Sequence, residues 1–516
     1  MLWAWGSTDN PELEGQSCQR VFAGNEGHCM NTGKGDIAKP ISEAGLLYAL
    51  REVSRRAGVS FDFFAQWSIS LRGDELIVRP VPDAPGTIHF PLYSGEERSR
   101  NRIVRKTWGS LVPAQTGERI PDFIVPFCRE DSIDGEALFA PQGRYEFRCT
   151  EDLLSSILLT LSRFEEFDSN IIDLHGRFPA SAGIAARNEF LDRPIVDEYG
   201  LALKEILQVL IPRWQPLPKK LRVKISHDID EIGIPFSFRS AIGHALIRGA
   251  PVSCARDFLS MVSDVAPGYL HAVRRVCQLS LKCDLRPTLY WQAAATDPFD
   301  TGYDVSHPKI AWMMRWANEL GLEQGVHPGY ETFRSSVLLK KEVERVTAAL
   351  GKKEVGGRQH YLRWHPETWI DWEGCGLAYD SSVGFVDQAG FRCGTCVPYL
   401  PWLLESDRCA NLMEIPLVAA DGTLVQRMGL TVEQSRQLVQ DLLEKCRQVG
   451  GVFTLLWHNT GMFPPCRDYY LPILELLRGE QDYEWEPELS QLRRERQAFA
   501  DGAVYIRKES GVVAGQ

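Results

Sequence analysis

Apolar residues recur with a helical period at several places in the first 210 residues. The stretch SEAGLLYALREVSRRAG (residues 42–58) places its leucines on one helical face, begins with a serine suited to an N-cap and ends in glycine. Residues 151–167 and 201–210 carry similar apolar stripes. Between the first two helices, SISLRGDELIVRPV alternates apolar and polar positions around Gly-Asp, which is typical of a β-hairpin. The pattern predicts a mixed α+β region.

A proline-rich segment, IPRWQPLPKK, separates this region from a different pattern. Proline disfavours helix interiors and central strands, so this segment is the best linker candidate. We place a domain boundary there, with residues 1–215 as a smaller N-terminal accessory domain and residues 216–516 as the main domain. In the second part, short apolar runs such as LRVKIS, TLYWQ and VFTLLWH alternate with helical stretches. Repeated strand–helix units predict an α/β fold with a parallel sheet or barrel.

Composition and net charge limit the classes of function that this protein can have. The formal net charge is −11, which argues against nucleic acid as a partner, because proteins that bind it usually present a basic face. No apolar run approaches the roughly 20 residues that span a bilayer, and the N-terminus lacks the pattern of a signal peptide. The 13 cysteines are an odd number without paired metal-binding spacing, which favours reduced thiols. We therefore expect a cytoplasmic protein with no membrane span.

Two carboxylates stand directly after the apolar run LRVKIS, in the segment SHDID. Strand side chains alternate between faces, so Asp228 and Asp230 project to the same side. Two carboxylates this close repel each other unless a proton or a cation lies between them. One of them can therefore bind a metal while the other acts as a base. Capping of a following helix is the alternative interpretation.

Histidines stand at three further predicted strand ends. His327 precedes Pro-Gly, so a tight turn displays it, and neutral imidazole is the commonest metal ligand in proteins. His360 lies in RQHYLR, and His458 ends the run VFTLLWH, where an imidazole can act as a general acid. Each histidine alone is compatible with a structural role. Four such strand ends in one strand–helix domain favour a shared site.

The order of these motifs resembles that of the polysaccharide deacetylase family, also called the NodB-homology domain. SHDID, GVHPGYE, GRQHYLR and LLWHN resemble its successive motifs, over about residues 220–460. YDSSVGF, GFRCGTC and LMEIPL resemble a divergent branch of the family that is associated with surface-polysaccharide gene sets. Upstream, LSRFEEF and DLHGRFPASAGIAARNEFLDRPIVDEY resemble the accessory domain that often precedes this branch.

The resemblance implies a distorted (β/α)7 barrel that binds one divalent metal, often Zn²⁺, and hydrolyses the N-acetyl group of an amino sugar. By position in the motifs, Asp228 resembles the catalytic base, Asp230 the metal-binding carboxylate and His327 the first metal histidine. His458 resembles the catalytic acid, and Arg358 resembles the arginine that orients the base. The expected partner is an N-acetylated sugar or polysaccharide precursor.

One position departs from the family pattern. Most members carry a second metal histidine four residues after the first, where this chain has Glu331. Carboxylates also bind zinc, so Glu331 is one candidate for the third ligand. His360, at the end of the next strand–helix unit, is the candidate that we favour.

Further expectations concern the substrate and the reaction. We expect Tyr330, Trp457 and Arg392 to contact the substrate, and a backbone N–H near Gly329 or Tyr330 to stabilise an oxyanion. Two alternative functions stay open: hydrolysis of another C–N amide, such as an N-formyl group, and a non-catalytic carbohydrate-binding or scaffold role on the same barrel. Metal content together with acyl release from N-acylated sugars would separate them.

Overall fold

The N-terminal region is built on a mixed sheet. The structure, a computed structural model, describes residues 40–81, 86–98, 102–109, 120–167, 169–232, 269–293, 297–300 and 303–508. The six strands of this sheet are, in spatial order, Ile506–Lys508, Ser68–Arg72, Glu75–Arg79, Thr87–Pro91, Glu146–Cys149 and Phe139–Gly143. A separate antiparallel pair joins Ile103–Lys106 to Phe123–Pro126. The α-helices of this region are Glu43–Arg56, Phe61–Phe64, Leu153–Leu161, Ile184–Arg187 and Ile195–Leu210.

Local sequence explains how these elements begin and turn. The Ser42 side chain accepts a hydrogen bond from Gly45 N at 3.0 Å, which satisfies one free N–H at the start of the helix Glu43–Arg56. Gly73, with φ of 61°, turns the hairpin between the second and third strands of the sheet. The predicted helix over residues 42–58 and the predicted hairpin are both confirmed.

The main sheet of the second region is parallel. Its strands are, in spatial order, Gln324–Val326, Thr288–Trp291, Arg222–Ile229, Val452–Leu456 and Ala419–Ala420. The short strand Gln481–Asp482 also pairs with Arg222–Ile229. Because parallel strands point the same way, their carboxyl ends lie along one edge, where ligands bind in open α/β sheets.

Helices connect these strands. They are Tyr269–Lys282, Pro308–Glu319, Ser336–Leu350, Thr368–Gly374, Val432–Val449, Tyr470–Leu477 and Trp485–Ala500. Gly351 and Gly450, both with φ of 65°, end the third and the fifth of these helices, because a left-handed backbone there favours glycine. In the part of the chain that the structure describes, no helix has both the length and the apolar character needed to cross a bilayer.

Beyond Gln324–Val326, the sheet continues through short contacts. Gly357 forms single parallel bridges with Val326 and Asp380, and Tyr379–Asp380 pairs with Met413–Glu414. The described strands do not close into a barrel. The prediction of a mixed α/β fold is confirmed, whereas the distorted (β/α)7 barrel is not confirmed.

The two predicted domains contact each other directly. The strand Ile506–Lys508, near the C-terminus, pairs in parallel with Ser68–Arg72. Arg51 and Glu495 form an ion pair at 2.9 Å, and both side chains are buried. Residues 37–516 form one compact unit. Separate folding of residues 1–215 and 216–516 stays a prediction.

Candidate metal centre

Three side chains converge at the carboxyl edge of the parallel sheet. Asp230 and His327 each come directly after a strand, and His360 comes from the next loop along the edge. One candidate ligand atom of each residue lies within 4.8 Å of the other two. His327 Nε2 is 3.1 Å and His360 Nε2 is 3.9 Å from Asp230 Oδ1. Glu331 is exposed and outside this group, so the structure places the favoured third ligand, His360, with the other two.

Hydrogen bonds fix the orientation of both imidazole rings. His327 Nδ1 lies 2.6 Å from the carbonyl oxygen of Arg358, and His360 Nδ1 lies 2.9 Å from Asp300 Oδ1. Carbonyl and carboxylate oxygens only accept, so each ring donates from Nδ1. In its neutral form each ring therefore turns the lone pair of Nε2 towards Asp230, as metal-binding histidines do when their other nitrogen is held by an acceptor.

The donor set fits a divalent ion. His327 Nε2 is buried and makes no hydrogen bond of good geometry. Burial raises the pKa of Asp230, but a contact from His327 and the charges of His360 and His458 outweigh it, so the pKa is lowered overall. Asp230 is therefore a carboxylate. Two imidazole nitrogens and one carboxylate oxygen match the protein ligands of some catalytic zinc sites.

Asp228 lies beside this group and is held by an arginine. Arg358 Nη1 donates to Asp228 Oδ1 at 2.9 Å and to Ser226 Oγ at 2.7 Å. The other oxygen, Asp228 Oδ2, is 3.8 Å from His327 Nε2 and so faces the centre. Burial lowers the pKa of Arg358, but the charge of Asp228 outweighs this and raises the pKa overall. The predicted pairing of Arg358 with Asp228 is thus present in the structure.

His458 borders the centre at Asp230, and its ring is held by Asp421. Its Nδ1 is 2.7 Å from Asp421 Oδ1, and its Nε2 is 3.6 Å from Asp230 Oδ2. Burial lowers the pKa of His458, but the Asp421 carboxylate outweighs it and raises the pKa to about 10. The side chain is 27% exposed, so this residue can be reached from solvent while it faces Asp230.

Two carboxylates that hold these histidines were missed from sequence. Asp421 directly follows the strand Ala419–Ala420. The strand-end signal that pointed to the other residues would have found it. Asp300 lies in the loop sequence DPFDTG, nine residues after the end of the strand Thr288–Trp291, and so does not directly follow a strand. That loop carries no comparable signal.

The expectation of an oxyanion donor at Gly329 or Tyr330 is wrong. Gly329 N donates to Glu342 Oε2 at 2.8 Å, and Tyr330 N donates to Asp300 Oδ1 at 2.7 Å. Buried carboxylates use both N–H groups, because each needs donors once it is removed from water. Neither group is available to a substrate oxygen.

The three predicted substrate contacts lie in different environments. Trp457 is fully buried and stacks on Tyr470 with ring centroids 4.9 Å apart. Arg392 is 3% exposed and forms an ion pair with Glu166. Tyr330 lies on the loop that follows His327, and its hydroxyl is 3.0 Å from His175 Nδ1. The structure gives Trp457 and Arg392 internal contacts, and a substrate contact by any of the three stays a prediction.

The N-terminal region reaches the loop that carries His360. Arg177 Nη1 donates to the carbonyl oxygen of Tyr361 at 2.9 Å. The His175 ring lies 4.9 Å from that of Tyr361, which in turn lies 4.7 Å from that of His360. Tyr361 has φ of 61°, a left-handed conformation that is costly for a residue with a side chain. The surrounding contacts hold this tyrosine against the candidate ligand.

Comparisons with known proteins give two kinds of match. Residues 95–212 match the model of a family of unknown function, DUF7033. No curated protein matches the chain.

Two solved structures resemble part of the chain. A proposed polysaccharide deacetylase from Mycobacterium smegmatis shares 16% identity and a TM-score of 0.38, over 55% of this chain and 93% of that one. A proposed polysaccharide deacetylase involved in O-antigen biosynthesis, from Bordetella bronchiseptica, shares 13% identity and a TM-score of 0.27, over 54% and 93%. TM-scores this low do not establish a shared fold.

Proposed function

We propose that the protein is a metal-dependent hydrolase that removes an N-acetyl or related N-acyl group from an amino sugar in surface-polysaccharide metabolism. The supporting observation is that three candidate metal ligands, a carboxylate held by arginine and a histidine held by a carboxylate lie in one cluster. Amide hydrolysis needs an activated water, a polarised carbonyl and a protonated leaving amine. The cluster contains a candidate group for each of these three requirements.

Asp230, His327 and His360 would hold the ion, and we propose Zn²⁺ because two imidazoles and a carboxylate are common zinc ligands. When bound, the ion supplies a positive charge that polarises the amide carbonyl and makes a nearby water more acidic. The Nδ1 hydrogen bonds keep both histidine rings turned towards Asp230.

Asp228 and His458 would move the protons. Asp228 takes a proton from the attacking water through Oδ2, the oxygen that faces the centre, while Arg358 holds the other oxygen. His458 gives a proton from Nε2 to the departing sugar nitrogen, while Asp421 holds Nδ1. Asp228 faces His327 and His458 faces Asp230, so both groups border the centre, where proton transfer to and from a breaking amide bond would take place.

The amino-sugar part of the proposal comes from the motif resemblance, and the aromatic surroundings of the centre support it. Phe299 is 41% exposed and lies 4.5 Å, between ring centroids, from Tyr330. Tyr361, on the His360 loop, lies 5.8 Å from Phe299 by the same measure. Aromatic faces beside a polar site bind the apolar face of a ring while polar groups fix its orientation.

Acyl release tests the proposal directly. The purified protein, stripped with a chelator and reloaded with Zn²⁺, is incubated with N-acetylated amino sugars in free, nucleotide-linked and oligomeric form, and acetate is measured. We expect release that disappears with the metal and returns with it. Full metal occupancy with no acyl release from any N-acetyl or N-formyl sugar would favour the non-catalytic carbohydrate-binding role instead.

Metal analysis tests the ligand set. His327→Ala and His360→Ala should each reduce the bound metal, and the double variant should retain almost none. His271→Ala is the matched control, because His271 is exposed on a helix. Glu331→Ala should keep its metal. Stoichiometric metal in the double histidine variant, or loss only in Glu331→Ala, would contradict the assignment.

A further inference from the structure

Asp300 contacts the loops of both candidate histidine ligands. Its Oδ1 accepts from His360 Nδ1 at 2.9 Å and from Tyr330 N, three residues after His327, at 2.7 Å. The residue is 1% exposed. One buried oxygen atom therefore joins the ring of one ligand to the backbone of the loop that carries the other.

The loop after His327 is packed tightly against this carboxylate. A Cβ atom at Gly329 would lie 2.8 Å from Asp300 Oδ2 and 3.2 Å from Glu342 Oε1. Glu342 Oε2 also accepts from Gly329 N at 2.8 Å. The backbone at Gly329 therefore passes between two carboxylates, and only glycine leaves room for both.

His360 is also tied to the same loop by its own backbone. His360 N donates to the carbonyl oxygen of Pro328 at 3.2 Å. That bond fixes the backbone and leaves the ring free to rotate. The contact with Asp300 fixes the ring, and with it the direction of Nε2.

We propose that Asp300 is a positioning residue for metal binding: it sets the tautomer and direction of the His360 ring and holds that ring in register with the His327 loop. The inference rests on the proposed metal centre. Carboxylates that accept from the second nitrogen of a metal-binding histidine orient the ring and raise its basicity, and changing them typically costs about 10- to 100-fold in metal affinity. Asp300 is outside the group of converging ligand atoms, so its role acts through His360.

Asp300→Asn tests the contribution of the carboxylate charge to this role. The amide oxygen can still accept from Tyr330 N and from His360 Nδ1, so both contacts can stay while the charge beside His360 is removed. We expect Zn²⁺ affinity, measured by competition with a chromogenic chelator, to fall about 10- to 100-fold. Glu342→Gln is the matched control, since it changes the other carboxyl group that accepts from the His327 loop, at Gly329 N, and makes no described contact with His360. Its Zn²⁺ affinity should stay close to that of the unaltered chain.

A second measurement does not depend on a variant that folds. The ¹⁵N chemical shifts of the His360 ring in the unaltered, metal-free protein report which nitrogen carries the proton. We expect the Nδ1–H form, because Asp300 Oδ1 can only accept a hydrogen bond from this nitrogen. An Nε2–H ring in the unaltered protein would overturn the proposal.

The remaining outcomes separate this inference from the proposed function. Equal losses of Zn²⁺ affinity in Asp300→Asn and Glu342→Gln would overturn it in favour of general loop packing, as would unchanged affinity in Asp300→Asn. An unaltered chain that binds no Zn²⁺ would overturn the proposed metal centre and with it the metal-positioning role. The tautomer of His360 would then still show whether the contact with Asp300 sets the ring.

Discussion

Two buried clusters of charged residues differ in what their polar atoms face. In the first, around Arg56, each guanidinium nitrogen donates to an acceptor: Nε to Asp197, Nη1 to the backbone and side chain of Glu52, and Nη2 to Thr395. In the candidate metal centre, by contrast, the Nε2 atoms of His327 and His360 lie 3.1 and 3.9 Å from the same oxygen of Asp230. In the first cluster, every nitrogen of the Arg56 guanidinium has a hydrogen-bond acceptor within the cluster. In the second, the possible ligand atoms lie close together around one point.

The comparison shows that burial and charge do not by themselves mark a functional site. Both clusters shift the pKa values of their members, and ion pairs that only stabilise a fold do the same. What distinguishes the candidate metal centre is the convergence of possible ligand atoms, together with hydrogen bonds from the second ring nitrogens that fix their direction. We therefore expect substitutions in the first cluster to change folding stability and substitutions in the second to change turnover.

The largest expected effect is on folding, in the Arg56 cluster. Arg56→Met leaves Asp197 buried without its cation, whereas Glu52 keeps its ion pair with Arg55. Such an unpaired buried charge typically costs about 3–5 kcal/mol. Urea denaturation should show that loss in the free energy of unfolding, with metal content unchanged. Arg436→Met is the control, because the Arg436–Glu433 pair is exposed and such pairs contribute about 0–1 kcal/mol. Similar losses in the two variants would contradict the comparison.

The next effect is on turnover, in the metal centre. Asp228→Asn and His458→Ala should each reduce the rate at least about a hundredfold, or roughly 2.7 kcal/mol of transition-state stabilisation, because each removes a proton-transfer group. Both variants should keep their metal. His458→Ala should melt close to the unaltered protein, whereas Asp228→Asn should melt lower, since it leaves Arg358 buried without a carboxylate. Full activity in either variant would refute its role.

A third, pH-dependent effect concerns Asp380, a buried carboxyl outside both clusters. Burial raises its pKa to about 7, and burial together with Asp380 raises that of the neighbouring Glu414. An unfolded Asp has a pKa of about 3.9, so the folded state binds more protons between these values. The stabilising contribution is present below about pH 4 and is lost as the pH rises through about 7.

Asp380→Asn removes this titration. The variant should therefore lose less free energy of unfolding between pH 5 and pH 8 than the unaltered protein, as measured by urea denaturation at both values. Equal losses would show that Asp380 is ionised in the fold across this range.

The smallest effect is expected at the surface of the N-terminal region. Leu174 is 99% exposed, next to His175, whose ring contacts Tyr361 beside the centre. Leu174→Ser should change the free energy of unfolding by no more than about 0.5 kcal/mol, as is usual for exposed positions. Metal content should also stay the same. A large loss of either would mean that this loop supports the centre more closely than its exposure indicates.

The sequence alone predicted the site residues that have a local signal, namely a position at the end of an apolar run. Asp228, Asp230 and His458 each follow an apolar run, and parallel strands bring such ends to one edge of the sheet. His327 was found in the same way, from the short run before Pro-Gly. Helix ends at Gly351 and Gly450 were predictable because glycine is favoured where the backbone turns left-handed.

The tertiary structure decided what depends on residues far apart in the chain. His360 rather than Glu331 lies at the candidate centre. Asp300 and Asp421 accept hydrogen bonds from the rings of His360 and His458. The N–H groups of Gly329 and Tyr330 donate to buried carboxyl groups. Local sequence contains no measure of such distances. A hydrogen bond forms only between atoms about 3 Å apart in suitable directions, and packing across the whole chain sets those positions.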